Sequence, residues 1–558
     1  MGAAAEARLL GRRPSPAAYA LSVIMAVVFG AAYLGGCQSG RLSLCPAWTA
    51  RRLPPVTRAC SPYRTPPPII NGGKPFLPAD ALRRGTANFG SGQRMERLGQ
   101  KLLAGKPVTI AFLGGSITWG RGGNEGGSFV RRFSEWLNAT WPHPGHRIVN
   151  QGLPAVTSAL FAACYDKVPE DSDLVVLDFA VNDGHVSPPG RDKLGYSFAG
   201  GSRRGFEQLV RKSLKLPGQP AVALLQFFSW NATRDKIEVE GIGGVPIGES
   251  FFWQTIEDEL STIGSYYDTP ILSLRNAVFH LLREQRFGFR HNVSLHALVD
   301  SEVPPEEQEY EKEAQFFWDE NHPWDRTGHR ALAELLMAAV SRGTQSAAEA
   351  QLAHMGHSQG GGGGGGMIPA APLPPLPPLP PPMVTDNYEA NATSCHLQEE
   401  FEDVVGDYEG FKFEPRAPQE STFVAQKWGL TATHPGARAT LLVDTELGGL
   451  SGKLAAVQVH LLFLRSWRGM GRALLECSKG CKCDKTELDG HWDREATLTD
   501  LYTLQVSPHP QCRLRITVLK ETSSGEHMFS VSGVVVSSVD ARMERGKIGQ
   551  WEYDKGKT

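Results

Sequence analysis

Short apolar runs alternate with helical patterns through much of the 558-residue chain. The runs are rich in Val, Ile, Leu and Phe on consecutive positions, which is typical of strands buried on both faces. They cover residues 108–113, 147–150, 174–180, 221–228 and 270–274. Strands that alternate with helices predict a parallel sheet between two helical layers.

Apolar residues at helical spacing also predict a helix over residues 91–104 and a last helix that starts near Thr327. The pattern ends at about residue 343, so we assign residues 79–343 to one α/β domain. A linker follows, in which residues 360–366 are all glycine and the next residues repeat Pro-Pro-Leu. A flexible segment before a stiff polyproline spacer predicts a disordered linker over 344–384, and two domains with separate cores and few contacts.

After the linker, apolar and polar residues alternate with a period of two. Val457, Val459 and Leu461 alternate with polar residues, and residues 513–518 repeat the alternation. Strands of this kind predict an all-β sandwich over residues 385–545, followed by a short tail over residues 546–558.

The nine cysteines fall in two groups, with Cys164 alone between them. Cys37, Cys45 and Cys60 precede the α/β domain, whereas the last third contains Cys395, Cys477, Cys481, Cys483 and Cys512. The second group lacks the paired spacing of zinc sites, so we expect disulfides that brace the β-sandwich from within, and no metal.

The amino-terminal segment predicts a membrane anchor. Residues 17–36 carry no charge, and Arg8, Arg12 and Arg13 precede them. A helix of ~20 residues rises about 30 Å, enough to cross the hydrocarbon layer, and the basic flank favours a cytoplasmic tail over residues 1–16. A cleaved signal peptide is the alternative.

A proline-rich stem over residues 37–78 would then hold the body of the protein in the lumen of the secretory pathway, such as the Golgi, or outside the cell. Cleavage of a signal peptide would instead secrete it. Four N-x-[ST] sequons are candidate glycosylation sites in such a compartment: Asn138, Asn231, Asn292 and Asn391.

Composition excludes two classes of protein. The chain is 41% apolar and 21% charged, so it is not disordered as a whole. Its 57 basic and 59 acidic residues leave a net charge of −2, which gives no basic field for nucleic acid. We therefore expect no nucleic-acid partner.

Four sequence blocks carry candidate chemistry. Three follow predicted strands: residues 114–120 (GGSITWG), 150–157 (NQGLPAVT) and 182–184 (NDG). The fourth, residues 319–323 (DENHP), precedes the last helix. Because ligands bind beyond the carboxyl ends of parallel strands, the first three blocks would meet at one edge of the sheet.

These blocks, in this order, resemble the SGNH family of hydrolases, also called GDSL esterases, over about residues 105–340. The resemblance implies a three-layer α/β/α domain of flavodoxin-like type. It also implies a serine esterase that needs neither a cofactor nor a metal.

Residue by residue, the resemblance assigns Ser116 as the nucleophile, His322 as the general base and Asp319 as the carboxylate that orients the imidazole. The oxyanion hole would use the N–H of Ser116, the N–H of Ala155 and the side-chain amide of Asn182.

The second block departs from the family, which has glycine where this chain has Ala155. The backbone N–H survives this change if alanine tolerates the local dihedral angles, and Gly152 is the rival donor. The first block reads Gly-Gly-Ser where many members have Gly-Asp-Ser.

Other readings of these residues are structural. Residues 182–184 also form a good turn sequence. We assign His329 to the start of the last helix, and Asp325 to the same role because acidic residues favour the first turn.

We therefore expect a membrane-anchored serine esterase that hydrolyses acyl esters, acetate first, on glycans or cell-wall polysaccharide. Two alternatives remain at this point. An O-acyltransferase would use the same triad with a sugar hydroxyl as acceptor, and a surface binding protein would use the α/β domain as an inactive scaffold.

Overall fold

The computed structural model describes twelve stretches of the chain: residues 74–124, 127–165, 167–186, 201–230, 252–253, 255–299, 301–358, 374–389, 393–418, 426–449, 454–493 and 497–538. The predicted membrane segment, the first three cysteines, Asn231, Asn391 and the glycine run lie outside them. Within these stretches, none of the helices combines the length and the hydrophobicity that crossing a bilayer requires.

The α/β region contains strands β1 (Thr86–Asn88), β2 (Thr109–Gly114), β3 (Arg147–Gly152), β4 (Leu174–Asp178), β5 (Ala221–Gln226) and β6 (Ile271–Ser273). Its helices are α1 (Ala79–Gly85), α2 (Gln93–Leu103), α3 (Ser116–Trp119), α4 (Phe129–Thr140), α5 (Ser158–Ala163), α6 (Ala180–Val186), α7 (Gly201–Leu214), α8 (Glu257–Tyr266), α9 (Leu274–Arg283), α10 (Leu295–Val299), α11 (Pro305–Ala314) and α12 (Arg330–Ser358). A π-helical turn, Asp325–His329, leads into α12.

The predicted parallel sheet is confirmed. Its order is β1-β6-β5-β4-β2-β3, and all pairs are parallel except β1 with β6. The five parallel strands, counted along the chain, follow the order 2-1-3-4-5, which reverses direction between β2 and β4. That reversal opens a crevice at the carboxyl ends of these two strands.

Alternate residues of β2 enter two different cores. Ile110 and Phe112 pack on one face of the sheet with residues of α2, α4 and α12. Ala111 and Leu113 pack on the other face with residues of α5, α7 and α8. Helices therefore cover both faces, which explains why the strand is apolar at consecutive positions.

Two boundaries differ from those that the sequence predicts, and the prediction of a disordered linker over residues 344–384 is wrong at both ends of that segment. Its carboxyl end packs on the α/β region, where Arg211 donates to the carbonyl of Pro380 at 2.7 Å. The last helix continues to Ser358, past residue 343, because alanine-rich sequence sustains a helix after the apolar pattern ends. At the other end, the backbone N–H groups of Phe76 and Leu77 donate to the carboxylate of Glu334 at 2.8 Å each. The last residues of the predicted stem thus belong to the α/β core.

The β region contains strands β7 (Thr393–Leu397), β8 (Val405–Glu409), β9 (Lys412–Pro415), β10 (Trp428–Ala432), β11 (Arg438–Val443), β12 (Val457–Arg465), β13 (Arg472–Lys479), β14 (Thr486–Asp489), β15 (Leu498–Val506), β16 (Cys512–Val518) and β17 (Phe529–Ser537), with a 3₁₀ helix over Gln398–Val404. One antiparallel sheet has the order β15-β12-β17-β10-β9, with β7 beside β17, and the other has the order β14-β13-β16-β11-β8. Inward side chains of both sheets share one core, as the all-β prediction requires.

The prediction of separate cores with few contacts is wrong. Leu462, Leu501 and Val535, on the outer face of the first sheet, join the same buried cluster as Leu160 and Phe161 of α5. The outer face of this sheet is apolar at these positions, and burying it against the α/β region removes it from water. The two regions therefore form one continuous packed body.

The expected disulfides are present, but one of them is placed differently. Cys477–Cys483 and Cys481–Cys512 brace the sandwich, and these bonds use the sulfurs of a cysteine cluster that could otherwise hold a metal. Cys164 is bonded to Cys395 and so joins the end of α5 to β7. The bond crosses between the regions, which corrects the expectation that all bridges lie within the sandwich.

Candidate active site

Ser116 begins α3 at the crevice where the strand order reverses. Two glycines precede it, and each is in close contact with a neighbour. A Cβ atom added at Gly114 would lie 2.1 Å from the hydroxyl oxygen of Thr118, and one at Gly115 would lie 2.4 Å from Nδ2 of Asn182. The Gly-Gly-Ser sequence therefore lets the chain turn tightly while Asn182 packs directly beside the serine.

The structure brings Ser116, His322 and Asp319 into one hydrogen-bonded chain. Ser116 Oγ lies 2.9 Å from His322 Nε2, and His322 Nδ1 lies 2.7 Å and 2.8 Å from the two carboxylate oxygens of Asp319. Burial opposes ionisation of Asp319, but its contacts with the imidazole and with the backbone N–H groups of Asn321 and His322 hold its pKa below the usual range. The carboxylate is thus kept charged against the imidazole.

The loop that carries this pair is fixed from several sides. The N–H of Trp318 donates to the carbonyl of His322 at 2.9 Å, and the Trp318 indole stacks on Trp324. Ser229, which is buried after β5, donates its hydroxyl to Glu320 O at 2.8 Å and contacts Asn321 Oδ1 at 2.9 Å. Ser229 is not among the residues that the sequence blocks predict, although its position just beyond a strand end could have indicated it.

Ala155, the second predicted oxyanion donor, has a φ of 62°. This left-handed conformation costs an alanine about 1–2 kcal/mol, and glycine adopts it freely. No acceptor in the part of the chain that the structure describes takes the N–H of Ala155. The rival donor differs, because the N–H of Gly152 already donates to Asn150 Oδ1 at 2.8 Å.

Asn182 and Asp183 lie in helix α6, not in a turn, and both contact the loop of Ala155. Asn182 Nδ2 donates to the carbonyl of Val156 at 2.6 Å. Asp183 accepts the backbone N–H of Ser158 at 2.9 Å and its hydroxyl at 2.5 Å. Burial raises the pKa of Asp183 to about 7, against the lowering effect of these bonds.

Asp325 and His329 lie in the turn that opens the last helix, as predicted, and both make further contacts. Asp325 is fully buried and forms an ion pair with Arg132 at 2.6 Å. His329 Nδ1 accepts the N–H of Phe129 at 3.2 Å, so that its Nε2–H donates to the carbonyl of Arg121 at 2.9 Å. Burial lowers the pKa of His329 to about 4, which leaves it a neutral residue that ties the segment after Ser116 to the turn before α12.

Two other predicted residues lie away from this cluster of side chains. Asn138 and Asn292 are both exposed, so each sequon presents its side chain to solvent. Their side chains form hydrogen bonds with Ser134 O and Gln315 Nε2, respectively.

Comparison with known proteins finds similarity among solved structures. No family model matches the chain, and no curated protein sequence matches it. Two crystal structures of a two-domain esterase (CEX) active on acetylated mannans, one co-crystallised with mannopentaose, align with a TM-score of 0.51 at 19% identity. The alignment covers 82% of this chain and 98% and 99% of theirs.

The likeness is one of fold. Because it spans 82% of the chain, it extends over the α/β and the β regions together. A possible lipase from Chitinophaga pinensis DSM 2588 aligns with 41% of this chain and 96% of its own, at 21% identity and a TM-score of 0.28.

Proposed function

We propose that the chain is a serine esterase of the SGNH type that hydrolyses acyl esters, acetate first, on a glycan or cell-wall polysaccharide. The observation that carries this proposal is the chain of contacts from Ser116 Oγ through His322 to Asp319, at 2.9 Å and 2.7 Å. A hydroxyl, a base and a carboxylate that orients the base together activate a serine for acyl transfer.

In the proposed reaction, Ser116 Oγ attacks the acyl carbon while its proton passes to His322 Nε2. Asp319 holds Nδ1–H and stabilises the imidazolium. The N–H groups of Ser116 and Ala155 and the second N–H of the Asn182 amide donate to the oxyanion. His322 then protonates the leaving alkoxide, and water repeats the sequence on the acyl-serine to release the acid and free Ser116.

The glycan substrate is supported by the likeness to the two-domain esterase, which is active on acetylated mannans. The three disulfides within the described stretches suit an oxidising compartment. We propose that residues 17–36 anchor the protein in the membrane, with its body lumenal or extracellular.

A fluorophosphonate probe and a series of p-nitrophenyl acyl esters test the proposal. We expect the probe to label Ser116 and acetate to be the fastest acyl group. Ser116→Ala should lower kcat by about 10⁴–10⁶ with little change in melting temperature, because the hydroxyl contributes little to the core.

Activity of Ser116→Ala above about a tenth of wild type would show that another nucleophile operates. Absence of labelling in folded wild-type protein would favour the inactive scaffold. Faster acyl transfer to an added sugar than to water would make the protein an acyltransferase.

A further inference from the structure

The loop that carries Ala155 contacts the β region directly. The backbone N–H of Thr499, in β15, donates to the carbonyl of Ala155 at 2.8 Å. The side chain of Ala155 packs against Trp492 and Leu498, which are 4% and 5% exposed. Residues of the β region thus contact both the carbonyl and the methyl group of Ala155.

Strand β15 can contact Ala155 from the edge that faces away from β12. It lies at the edge of its sheet and, among the strands that the structure describes, pairs only with β12, with Thr499 opposite Leu464. In an antiparallel ladder, alternate N–H groups point away from the partner strand. The N–H of Thr499 is one of these, and it meets the Ala155 loop.

The contact is made to a residue whose backbone conformation is unfavourable by itself. An alanine at a φ of 62° returns to the right-handed or extended region unless neighbours prevent it. Such a return would rotate the N–H of Ala155 relative to the carbonyl that Thr499 holds. The α/β region holds the next residues, through Asn182 to Val156 and Asp183 to Ser158. The carbonyl of Ala155 itself is bonded by β15.

We propose that β15 is a positioning element of the oxyanion hole: the Thr499 N–H and the apolar patch of Trp492 and Leu498 keep Ala155 in the left-handed conformation that aims its N–H at the reacting carbonyl. The inference rests on the proposed esterase function. It makes the β region part of the catalytic unit, and Thr499 a positioning residue that acts through Ala155.

Proline substitution on the same strand edge tests the bond. Thr499→Pro removes the N–H that reaches Ala155 and leaves the ladder to β12 intact. Gln505→Pro is the matched control, because residue 505 has the same orientation six residues along the strand and an exposed side chain. In the full-length chain, Thr499→Pro should lower kcat about tenfold without changing KM, since the loss concerns charge that develops in the transition state. Gln505→Pro should leave both constants within about twofold.

The Ala155→Gly background distinguishes loss of this contact from a general loss of protein stability. Glycine adopts the left-handed region without support, so Thr499→Pro should lower kcat by less than about threefold in the Ala155→Gly background. An equal loss in both backgrounds would overturn the proposal, as would equal effects of the two proline variants. If Thr499→Pro does not fold, Leu498→Ala takes its place in the same cycle, with the same criteria.

Hydrogen exchange separates this inference from the proposed function. Amides of a peptide covering residues 153–160 should exchange about tenfold faster in Thr499→Pro than in Gln505→Pro, whether or not an ester is hydrolysed. Unchanged exchange would overturn the positioning role while leaving esterase activity and Ser116 labelling intact. Faster exchange in a protein that hydrolyses no ester would support the contact between Thr499 and Ala155 and contradict the proposed esterase function.

Discussion

On the proposed acid–base side of the candidate site, Asp319 and His322 lie three residues apart in one loop of the α/β region. On the proposed oxyanion side, Ala155 and Asn182 come from separate segments, and the carbonyl of Ala155 is bonded to Thr499 of the β region. Both sides meet at Ser116. The first is a local arrangement, whereas the second depends on packing between residues distant in sequence.

This difference indicates how damage to each part should appear in kinetics. If the proposed function holds, a change in the β region should weaken stabilisation of transition-state charge, because it acts on the loop of the proposed oxyanion donor, Ala155. The same change should leave the hydrogen bonds of Asp319 and His322 in place, since Trp318 and Ser229 hold their loop within the α/β region.

The largest effect is expected on the acid–base side. Asp319→Asn should lower kcat by about 10⁴, because the amide no longer stabilises the imidazolium or fixes the tautomer that accepts the serine proton. Glu320→Gln is the matched control: it changes the same kind of group one residue away, on an exposed side chain, and should stay within about threefold. Steady-state kinetics on p-nitrophenyl acetate measures both, and similar losses would remove the special role of Asp319.

On the oxyanion side, Asn182→Ala should lower kcat by about 10²–10³ with little change in KM, because the lost N–H serves a charge present only in the transition state. The substitution also removes the bond to Val156 O, so the melting temperature should be measured alongside. A change confined to KM would instead place Asn182 in ground-state binding.

Removing the Cys164–Cys395 bond tests, at a distance from the site, how strongly the stability of the protein depends on the connection between the two regions. Replacing both cysteines by serine should lower the free energy of unfolding by about 2–5 kcal/mol, measured by denaturant titration. Replacing Cys477 and Cys483 is the control, because that pair is separated by 6 residues in sequence and the first by 231. Loop-closure entropy predicts the smaller loss for the shorter loop, and the reverse order would show that native packing dominates.

The smallest effect concerns His460, which is buried on the outer face of β12 and contacts the hydroxyls of Thr503 and Ser537. Burial, with Lys212 nearby, lowers its pKa to about 3. The unfolded chain therefore binds the extra proton below pH ~6.5, so the free energy of unfolding falls as the pH is lowered from there, by at most about 2 kcal/mol at pH 5.

His460→Gln should reduce this acid sensitivity between pH 7 and pH 5. Other buried groups, such as His329 and Asp183, titrate in both proteins and cancel in the comparison. Thermal melts of the wild type and of His460→Gln across this range measure the difference. Parallel profiles of melting temperature against pH would contradict the assignment.

The sequence alone predicted the parallel sheet, because strands buried on both faces must be apolar at consecutive positions. It also predicted that Ser116, Asp319 and His322 would act together, since their blocks resemble a known family, and the structure brings these three side chains into contact. Strand β1 was missed because its three residues carry no apolar run, and the last helix was ended early because only its apolar pattern was followed.

Only the tertiary structure decided how the two regions relate. The glycine and proline segment suggested independent domains, but linker composition says nothing about the surfaces on either side of it. The alternation in β12 predicted a strand of the sandwich but not what covers its second face. His460 on that face is buried, and Leu462 packs in a cluster shared with the α/β region. Partners such as Cys164 with Cys395, or Ala155 with Thr499, lie hundreds of residues apart, and no local pattern marks them, because a backbone N–H or a single cysteine has the same local sequence whichever distant group it meets.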